Sequence, residues 1–178
     1  VLATNTSTMS ISKIAEASSR PEQVIGMHFF TPIPLLRLIE LIKGEKTSQE
    51  AFNLGVALGQ KLPALKGKRY IAKIEKESPG FIVNRLLLPF LFNAIRMLDT
   101  GIASREDIDT GINLGLNHPM GPLTLADLIG NDTFFFVANA LYDELKEPQD
   151  APPPLLRKMV IAGWLGRKTK KGFYEYNK

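Results

Sequence analysis

His28 and Glu40 bring together the two side-chain types that proton transfer needs. His28 lies in the segment 27–32, and Glu40 follows twelve positions later inside the apolar run 38–42. An imidazole or a carboxylate is costly to bury alone but tolerable in a pair, because the carboxylate accepts the proton of one ring nitrogen. The second nitrogen is then free to act as a base near neutral pH. The pattern predicts a general acid–base pair; the alternative is a core histidine bonded to a backbone carbonyl.

Two further polar residues stand out against apolar surroundings. Ser7 comes just after a short apolar strand, at the carboxyl end where ligands gather in α/β sheets. Asn84 lies one turn into a strongly apolar helical pattern, where a buried amide needs a partner. Ser7 is therefore a candidate to contact a ligand, whereas Asn84 only requires a hydrogen-bond partner. The alternatives are capping or turn formation for Ser7, and a bond to the preceding loop for Asn84.

Composition excludes several classes of site. The 178 residues carry a net charge of +4 and contain no cysteine and only two histidines, which excludes disulfides, thiol catalysis and zinc–thiolate or histidine-rich metal sites. Acidic and basic residues interleave, so no nucleic-acid partner is predicted. The longest apolar run, 86–92, is too short to cross a membrane, and no signal peptide is visible. The expectation is a cytoplasmic protein without a metal ion or a membrane partner.

The first part of the chain alternates between strand and helix patterns. Strands are predicted near 1–5, 24–30 and 36–42, with a helix over 10–17 capped by Ser10. Thr47 opens a capping-box pattern, which predicts a second helix to about residue 61. This alternation is typical of a mostly parallel α/β sheet. Residues 66–77 are predicted to form a hairpin at Gly67; this insertion is either solvated or a basic lip that contacts phosphates.

From about residue 79 the pattern becomes helical. One long apolar helix is predicted over 81–98, a second begins at Ser104, and a further stretch over 123–145 has a break at Gly130. A last helix spans 155–162. The aromatic tail 172–176 is predicted to pack back on the body of the protein. His118 lies in a Pro- and Gly-containing loop and is given an architectural role only.

Five sequence blocks occur in a fixed order along the chain. The blocks are Thr4-Asn5-Thr6-Ser7, His28-Phe29-Phe30-Thr31-Pro32, Ser78-Pro79-Gly80-Phe81-Ile82-Val83-Asn84-Arg85, His118-Pro119-Met120-Gly121-Pro122 and Lys168-Thr169-Lys170-Lys171-Gly172-Phe173-Tyr174. Together they resemble the 3-hydroxyacyl-CoA dehydrogenase family, specifically its 3-hydroxybutyryl-CoA dehydrogenase-like branch. The resemblance covers the whole chain, and five ordered blocks are more specific than any single motif.

The resemblance implies an α/β part followed by an all-α part. Residues 1–78 would be the C-terminal part of a Rossmann-like NAD-binding domain, and 79–178 the helical C-terminal dimerisation domain. The G-x-G-x-x-G turn that binds a pyrophosphate does not occur in these 178 residues. The expectation is therefore that this sequence is the C-terminal portion of a longer enzyme, inactive on its own.

The resemblance also implies the reaction, the NAD-dependent oxidation of an (S)-3-hydroxyacyl-CoA, with 3-hydroxybutyryl-CoA as the expected substrate, to the 3-ketoacyl-CoA. His28 would take the proton of the 3-hydroxyl group, and Glu40 would orient the ring and stabilise the imidazolium. Ser7 would hydrogen-bond the reacting oxygen, and Asn84 would contact the substrate or the surroundings of His28.

The NAD cofactor is expected near Asn5, Ser7, Thr31 and Lys168. Asn5 would face the nicotinamide side of the site. Thr31 departs from the family, which usually has an asparagine there, so this contact loses reach. Lys168 matches a lysine that approaches the cofactor, although a solvated basic surface explains it equally well.

The expected partners are acyl-CoA, a second copy of the chain and a fused or associated enoyl-CoA hydratase. The homodimer would form through the helical domain, where Phe134–Phe136 and the 81–98 helix carry surplus apolar surface. Two other readings stay open. The chain by itself could be a non-catalytic dimerisation and acyl-CoA-binding module, or a structural, crystallin-like relative. The presence of Ser7, His28, Glu40 and Asn84 together argues against the latter.

Overall fold

The computed structural model describes residues 1–176, which form a four-stranded sheet followed by helices. The chain divides into two compact units, Val1–Asn84 and Arg85–Lys178. This is the predicted order of an α/β part and an all-α part. None of the helices in residues 1–176 is both long enough and apolar enough to cross a membrane.

The sheet has the strand order β1-β2-β3-β4 and contains both parallel and antiparallel pairs. Parallel pairing joins β1 to β2 and β3 to β4, whereas β2 and β3 are antiparallel. The helix α1 connects the first parallel pair, and α2 connects the second. The bounds are β1 (Leu2–Thr4), α1 (Ile11–Glu16), β2 (Val24–Phe29), β3 (Leu38–Lys43), α2 (Gln49–Lys61) and β4 (Tyr70–Ile74).

Two of the three strand pairs are parallel, as predicted for a mostly parallel sheet, and the central pair β2–β3 is the antiparallel exception. Residues 30–37 join β2 to β3 without a helix. A parallel crossover needs a dozen or more residues, so a connection this short reverses the chain direction. The reversal places His28 directly opposite Glu40 in the β2–β3 register.

The start of α1 was predicted correctly, whereas that of α2 was not. Ser10 caps α1 and its hydroxyl accepts a hydrogen bond from the N–H of Lys13. The cap of α2 is Ser48, not Thr47. The Thr47 hydroxyl instead donates to the carbonyl of Val24 at 2.6 Å and accepts from the N–H of Gly44 at 2.9 Å. Thr47 is therefore used to tie the turn before α2 to β2.

The hairpin predicted over 66–77 is wrong, because this region contributes the single strand β4. The connection before β4 is held by Arg69, whose buried guanidinium donates to the carbonyls of Ile33, Leu36 and Pro63. Three backbone acceptors satisfy this cation without a carboxylate. Arg69 is thus engaged with backbone carbonyls, whereas Lys66, Lys68, Lys73 and Lys76 are the exposed cations of residues 66–77.

The second unit packs its helices around an apolar core. The break predicted at Gly130 is confirmed, because this residue separates two helices at a φ of +99°. Ser104 caps its helix as predicted. The helices are α3 (Val83–Asp99), α4 (Arg105–Leu116), α5 (Pro122–Ile129), α6 (Asn131–Leu145) and α7 (Pro154–Ile161), and the core includes Leu91, Phe92, Ile95, Leu123, Leu141 and Leu156.

Two buried carboxylates hold the aromatic tail against these helices. Asp127 accepts hydrogen bonds from the N–H groups of Phe173 and Tyr174 and from the hydroxyl of Tyr176. Asp109 accepts from the hydroxyl of Tyr174 at 3.1 Å. The prediction that the tail packs back on the body of the protein is confirmed.

Candidate active site

The polar residues of the candidate site meet at the carboxyl ends of β1 and β2. Because these strands are parallel, the residues that follow them lie at the same edge of the sheet. Asn5 and Ser7 follow β1, and His28 is the next-to-last residue of β2. All the contacts of His28 described below lie within the first unit.

His28 and Glu40 form a buried pair. Nδ1 of His28 lies 2.7 Å from Oε2 of Glu40, and the two residues are 4% and 0% exposed. An ionised carboxylate only accepts hydrogen bonds, so Nδ1 carries the ring proton and Nε2 has a free lone pair in the neutral ring. This is the tautomer that a general base needs.

The other carboxylate oxygen of Glu40 is bound at the start of α3. Oε1 accepts hydrogen bonds from the N–H groups of Ile82 at 3.0 Å and Val83 at 2.9 Å. These groups have no partner inside the helix, and the positive end of the helix dipole favours a negative charge there. Three donors therefore compensate the burial of the Glu40 carboxylate.

Ser7 completes a chain of three side chains. Its Oγ lies 3.1 Å from Nε2 of His28, the ring nitrogen that does not face Glu40. With the proton on Nδ1, the Ser7 hydroxyl donates to Nε2. The order is therefore Ser7, His28, Glu40, with the base nitrogen at the half-buried end.

Two phenylalanines flank the imidazole. The ring centroid of Phe30 lies 4.7 Å from that of His28 with an edge-on geometry, and that of Phe81 lies at 5.6 Å. Both rings therefore pack against the imidazole of the buried pair. Phe81 also has a φ of +52° after Gly80 at +77°, a turn that leads directly into the two N–H groups bound by Glu40.

The side-chain amide of Asn5 makes a hydrogen bond to the backbone next to His28. Its Oδ1 accepts a hydrogen bond from the N–H of Phe29 at 2.9 Å, one residue after His28. The carbonyl end of this amide is therefore used to fix the backbone of β2. The side chain of Asn5 is otherwise exposed at the sheet edge.

The remaining predicted site residues have different surroundings. Asn84 is half-buried in the first turn of α3, directly after Val83. Thr31 is exposed in the connection between β2 and β3. Lys168 belongs to the second unit, where its Nζ lies 2.6 Å from a carboxylate oxygen of Asp132. This hydrogen bond lowers the pKa of Asp132 below its usual value.

Sequence reasoning missed the backbone that supports Glu40, although part of the signal was visible. Gly80 in the Ser-Pro-Gly-Phe block is a residue type that favours a tight turn, but nothing in the residue types identifies Glu40 as the acceptor for the following N–H groups. Glu77 was not selected either, and the structure gives its carboxylate four contacts at the start of α1. Within residues 1–176 no group of His, Cys, Asp and Glu could hold a metal ion.

Comparison with known families matches both parts of the chain. Residues 1–71 match the NAD binding domain of 3-hydroxyacyl-CoA dehydrogenase, and residues 80–176 match the C-terminal domain of the same enzyme. The chain therefore carries residues of both domains and is not confined to the C-terminal one.

Individual relatives agree with these matches over the full chain. A 3-hydroxybutyryl-CoA dehydrogenase of Clostridioides difficile is 47% identical over 178 residues, which are 100% of this chain and 61% of the relative. Human mitochondrial hydroxyacyl-coenzyme A dehydrogenase is 42% identical over 99% of this chain and 54% of its own length. The crystal structure of (S)-3-hydroxybutyryl-CoA dehydrogenase from Ralstonia eutropha superposes with a TM-score of 0.93 at 47% identity, covering 100% of this chain and 61% of that chain. The chain thus spans about three fifths of the bacterial relatives' length.

Proposed function

Because this chain belongs to the 3-hydroxyacyl-CoA dehydrogenase family, we propose that it takes part in the NAD-dependent oxidation of an (S)-3-hydroxyacyl-CoA to the 3-ketoacyl-CoA. The names of the bacterial relatives favour 3-hydroxybutyryl-CoA as the substrate. The observation that carries the proposal is the hydrogen-bonded series Ser7–His28–Glu40.

In this proposal His28 is the general base. Nε2 takes the proton of the substrate's 3-hydroxyl group, and the imidazolium that forms keeps its hydrogen bond from Nδ1 to Glu40. The negative charge of Glu40 stabilises that cation in a site flanked by Phe30 and Phe81. The reverse reaction uses the same groups, with His28 returning the proton to the carbonyl oxygen.

Ser7 and Asn84 are proposed to position the substrate. The Ser7 hydroxyl already lies at hydrogen-bonding distance from Nε2, so an oxygen that approaches Nε2 also comes within its reach. Ser7 then hydrogen-bonds the reacting oxygen while His28 moves the proton. Asn84, in the first turn of α3, would contribute an amide to the same substrate.

The residues at this sheet edge fit the nicotinamide end of NAD. They are uncharged hydrogen-bonding groups next to a base, at the carboxyl ends of parallel strands where such ligands bind. Asn5, Ser7, Thr31 and Lys168 are the residues proposed to hold the cofactor, and when bound it supplies the hydride acceptor. We assign residues 1–78 to the NAD-binding part and 79–178 to the helical part.

The second unit is proposed to form a homodimer. Phe134, one of the residues predicted for that surface, is 2% exposed and belongs to the core of the unit, so it cannot contribute. Phe136 is 71% exposed, and Leu86 on α3 is similarly open, which leaves apolar side chains available for a partner. An associated enoyl-CoA hydratase and a cytoplasmic location remain part of the proposal.

A direct spectrophotometric assay tests the proposed reaction. Oxidation of NADH is followed at 340 nm in the presence of acetoacetyl-CoA, with an enzyme that contains this sequence and with its His28→Gln variant. Turnover that depends on His28 supports the dehydrogenase. Binding of acyl-CoA without turnover of NADH would instead favour a non-catalytic acyl-CoA-binding module.

A further inference from the structure

The carboxylate of Glu77 binds the start of α1, the helix that follows the loop of residues 5–10, which carries Ser7. Oε2 accepts a hydrogen bond from the N–H of Ile11 at 2.6 Å, and both oxygens lie within 3.4 Å of the N–H of Ser12. The hydroxyl of Ser10 donates to Oε1 at 3.1 Å. Glu77 is 66 residues away from Ile11 in sequence, so this is a long-range tie and not a local cap.

The opposite end of the same loop is also fixed. Asn5 accepts from the N–H of Phe29, and the hydroxyl of Thr6 accepts from the N–H of Met9 at 2.9 Å. Ser7 therefore lies between a contact to β2 on one side and the Glu77 contacts on the other. With both ends held, the loop presents Oγ of Ser7 to Nε2 of His28.

The segment that carries Glu77 also binds Glu40, the other end of the hydrogen-bonded series Ser7–His28–Glu40. Five and six residues after Glu77, the N–H groups of Ile82 and Val83 bind Glu40, and the ring of Phe81 packs beside His28. Residues 77–83 thus contact both the loop of Ser7 and the Glu40–His28 pair. A shift of this segment would change both ends of the series together.

We propose that Glu77 is a positioning residue for Ser7, which acts by fixing the start of α1 and so the distance between Ser7 Oγ and His28 Nε2. This inference rests on the proposed function of Ser7 and His28. Its physical basis is that a carboxylate accepting several backbone N–H groups is held firmly, and an alanine there leaves those N–H groups without their acceptor.

A merely structural role is the competing explanation. Ile11 is fully buried, Ser10 also caps α1 through the N–H of Lys13, and the Ser12 hydroxyl accepts from the N–H of Glu45. These contacts could hold α1 without Glu77. The test must therefore report on the Ser7–His28 bond itself, and not on stability.

Nitrogen-15 NMR of the imidazoles gives that readout on the 178-residue chain. With only two histidines, the His28 signals are assigned by comparison with a His118→Gln variant. At a pH well above the ordinary imidazole pKa of about 6.5, Ser7→Ala removes the donor to Nε2 and moves its resonance to higher frequency. We expect Glu77→Ala to move it in the same direction, and to cause no additional shift in the Ser7→Ala background.

Two variants make the comparison specific. Glu77→Gln keeps one accepting oxygen, so we expect a smaller shift of the Nε2 resonance in the same direction. This variant replaces Glu77→Ala in the test if Glu77→Ala does not fold. Glu75→Gln is the matched control, because Glu75 is an exposed carboxylate two residues away that pairs only weakly with Lys43 at 4.0 Å. An Nε2 resonance that stays at its wild-type position in folded Glu77→Ala and Glu77→Gln would overturn the proposal.

Kinetics separate this inference from the proposed function. If both are right, Glu77→Ala lowers kcat by no more than Ser7→Ala does, leaves KM for the acyl-CoA unchanged, and has no added effect in the double variant. If Ser7→Ala and His28→Gln impair turnover but Glu77→Ala does not, the dehydrogenase function stands and the role of Glu77 is wrong. If the NMR shifts occur while His28→Gln keeps normal turnover, the positioning is right and the function is wrong.

Discussion

His28 and Glu40 are direct cross-strand neighbours in the antiparallel pair β2–β3, and their side chains are joined by a 2.7 Å hydrogen bond. Neighbours in such a pair project from the same face of the sheet, so the register alone brings imidazole and carboxylate together. A slip of one residue would move one of them to the other face. The register of two buried strands therefore sets the geometry of the proposed base.

Glu40→Gln is expected to lower kcat by roughly 10²–10⁴-fold, the range that general base catalysis contributes. All the partners of Glu40 are donors, namely His28 Nδ1–H and two backbone N–H groups. A glutamine has one accepting oxygen and an NH₂ group, so one of these donors must face another donor. The imidazolium also loses its negative partner, which should alter the acidic limb of the pH–rate profile. Full pH profiles of kcat measure both effects.

The control for that measurement is Glu50→Gln, an exposed carboxylate in the first turn of α2. It should leave the profile unchanged. A Glu40→Gln enzyme with wild-type kcat and an unaltered acidic limb would mean that Glu40 serves the fold only.

The tail tyrosines are expected to make the helical unit sensitive to alkali. Burial, followed by the hydrogen bond to Asp127, raises the pKa of Tyr176 from 10.0 to about 12. Burial and the charge of Asp109 raise the pKa of Tyr174 as well. Between pH 10 and 12 the folded state holds a proton that the unfolded state has lost, so the free energy of unfolding falls as pH rises.

Trp164, the single tryptophan, reports on this transition because the ammonium of Lys171, the residue directly before the tail, lies 4.4 Å from its ring centroid. Its fluorescence should follow the release of the tail during unfolding in urea. Urea titrations at a series of pH values then give the free energy of unfolding as a function of pH. In Tyr174→Phe/Tyr176→Phe the dependence of the unfolding free energy on pH above 10 should largely disappear. A slope equal to that of the wild type would contradict this role of the tyrosines.

The homodimer prediction is tested on the exposed apolar residues of the second unit. Light scattering should give twice the chain mass of 19.7 kDa for the wild type. A buried charge disfavours association, so Leu86→Glu or Phe136→Glu should shift the mass towards the monomer. Ile161→Glu on α7 is the matched control, since this residue is also an exposed apolar side chain. A monomeric wild-type chain would remove the proposed interface.

Titration with NADH tests how much of the cofactor affinity comes from the residues of this chain. The 178 residues contain no G-x-G-x-x-G turn, and most cofactor affinity comes from backbone donors and a helix dipole at such a turn. Calorimetry on this chain alone should therefore show binding much weaker than micromolar. Micromolar affinity would mean that residues such as Asn5 and Thr31 contribute far more than proposed.

Much of the fold was predictable because it follows from local signals. Ser10 and Ser104 are strong N-caps, and Gly130 adopts a positive φ where a helix break was expected. The His28–Glu40 pair was also predictable, because burying both groups is tolerable only if they meet. These features depend on residue type and short spacing, both of which are visible in one sequence.

What could not be predicted depends on long-range backbone contacts. The antiparallel turn between β2 and β3, the use of Ser48 instead of Thr47 as a cap, and the single strand in place of a hairpin all depend on tertiary partners. The residue type of Thr47 is typical of a helix cap, but its hydroxyl donates a hydrogen bond to the carbonyl of Val24. The sequence does not distinguish Glu77 from an exposed carboxylate, because no residue near it in sequence predicts a contact with α1.

The most direct test of the account is the turnover of His28→Gln with acetoacetyl-CoA and NADH, in an enzyme that contains this sequence and has measurable wild-type activity. Loss of the general base should lower kcat by on the order of a hundredfold or more, with KM for the acyl-CoA nearly unchanged. His118→Gln, which changes the only other histidine, should keep wild-type turnover. Near-normal kcat in His28→Gln would contradict the assignment of His28 as the base.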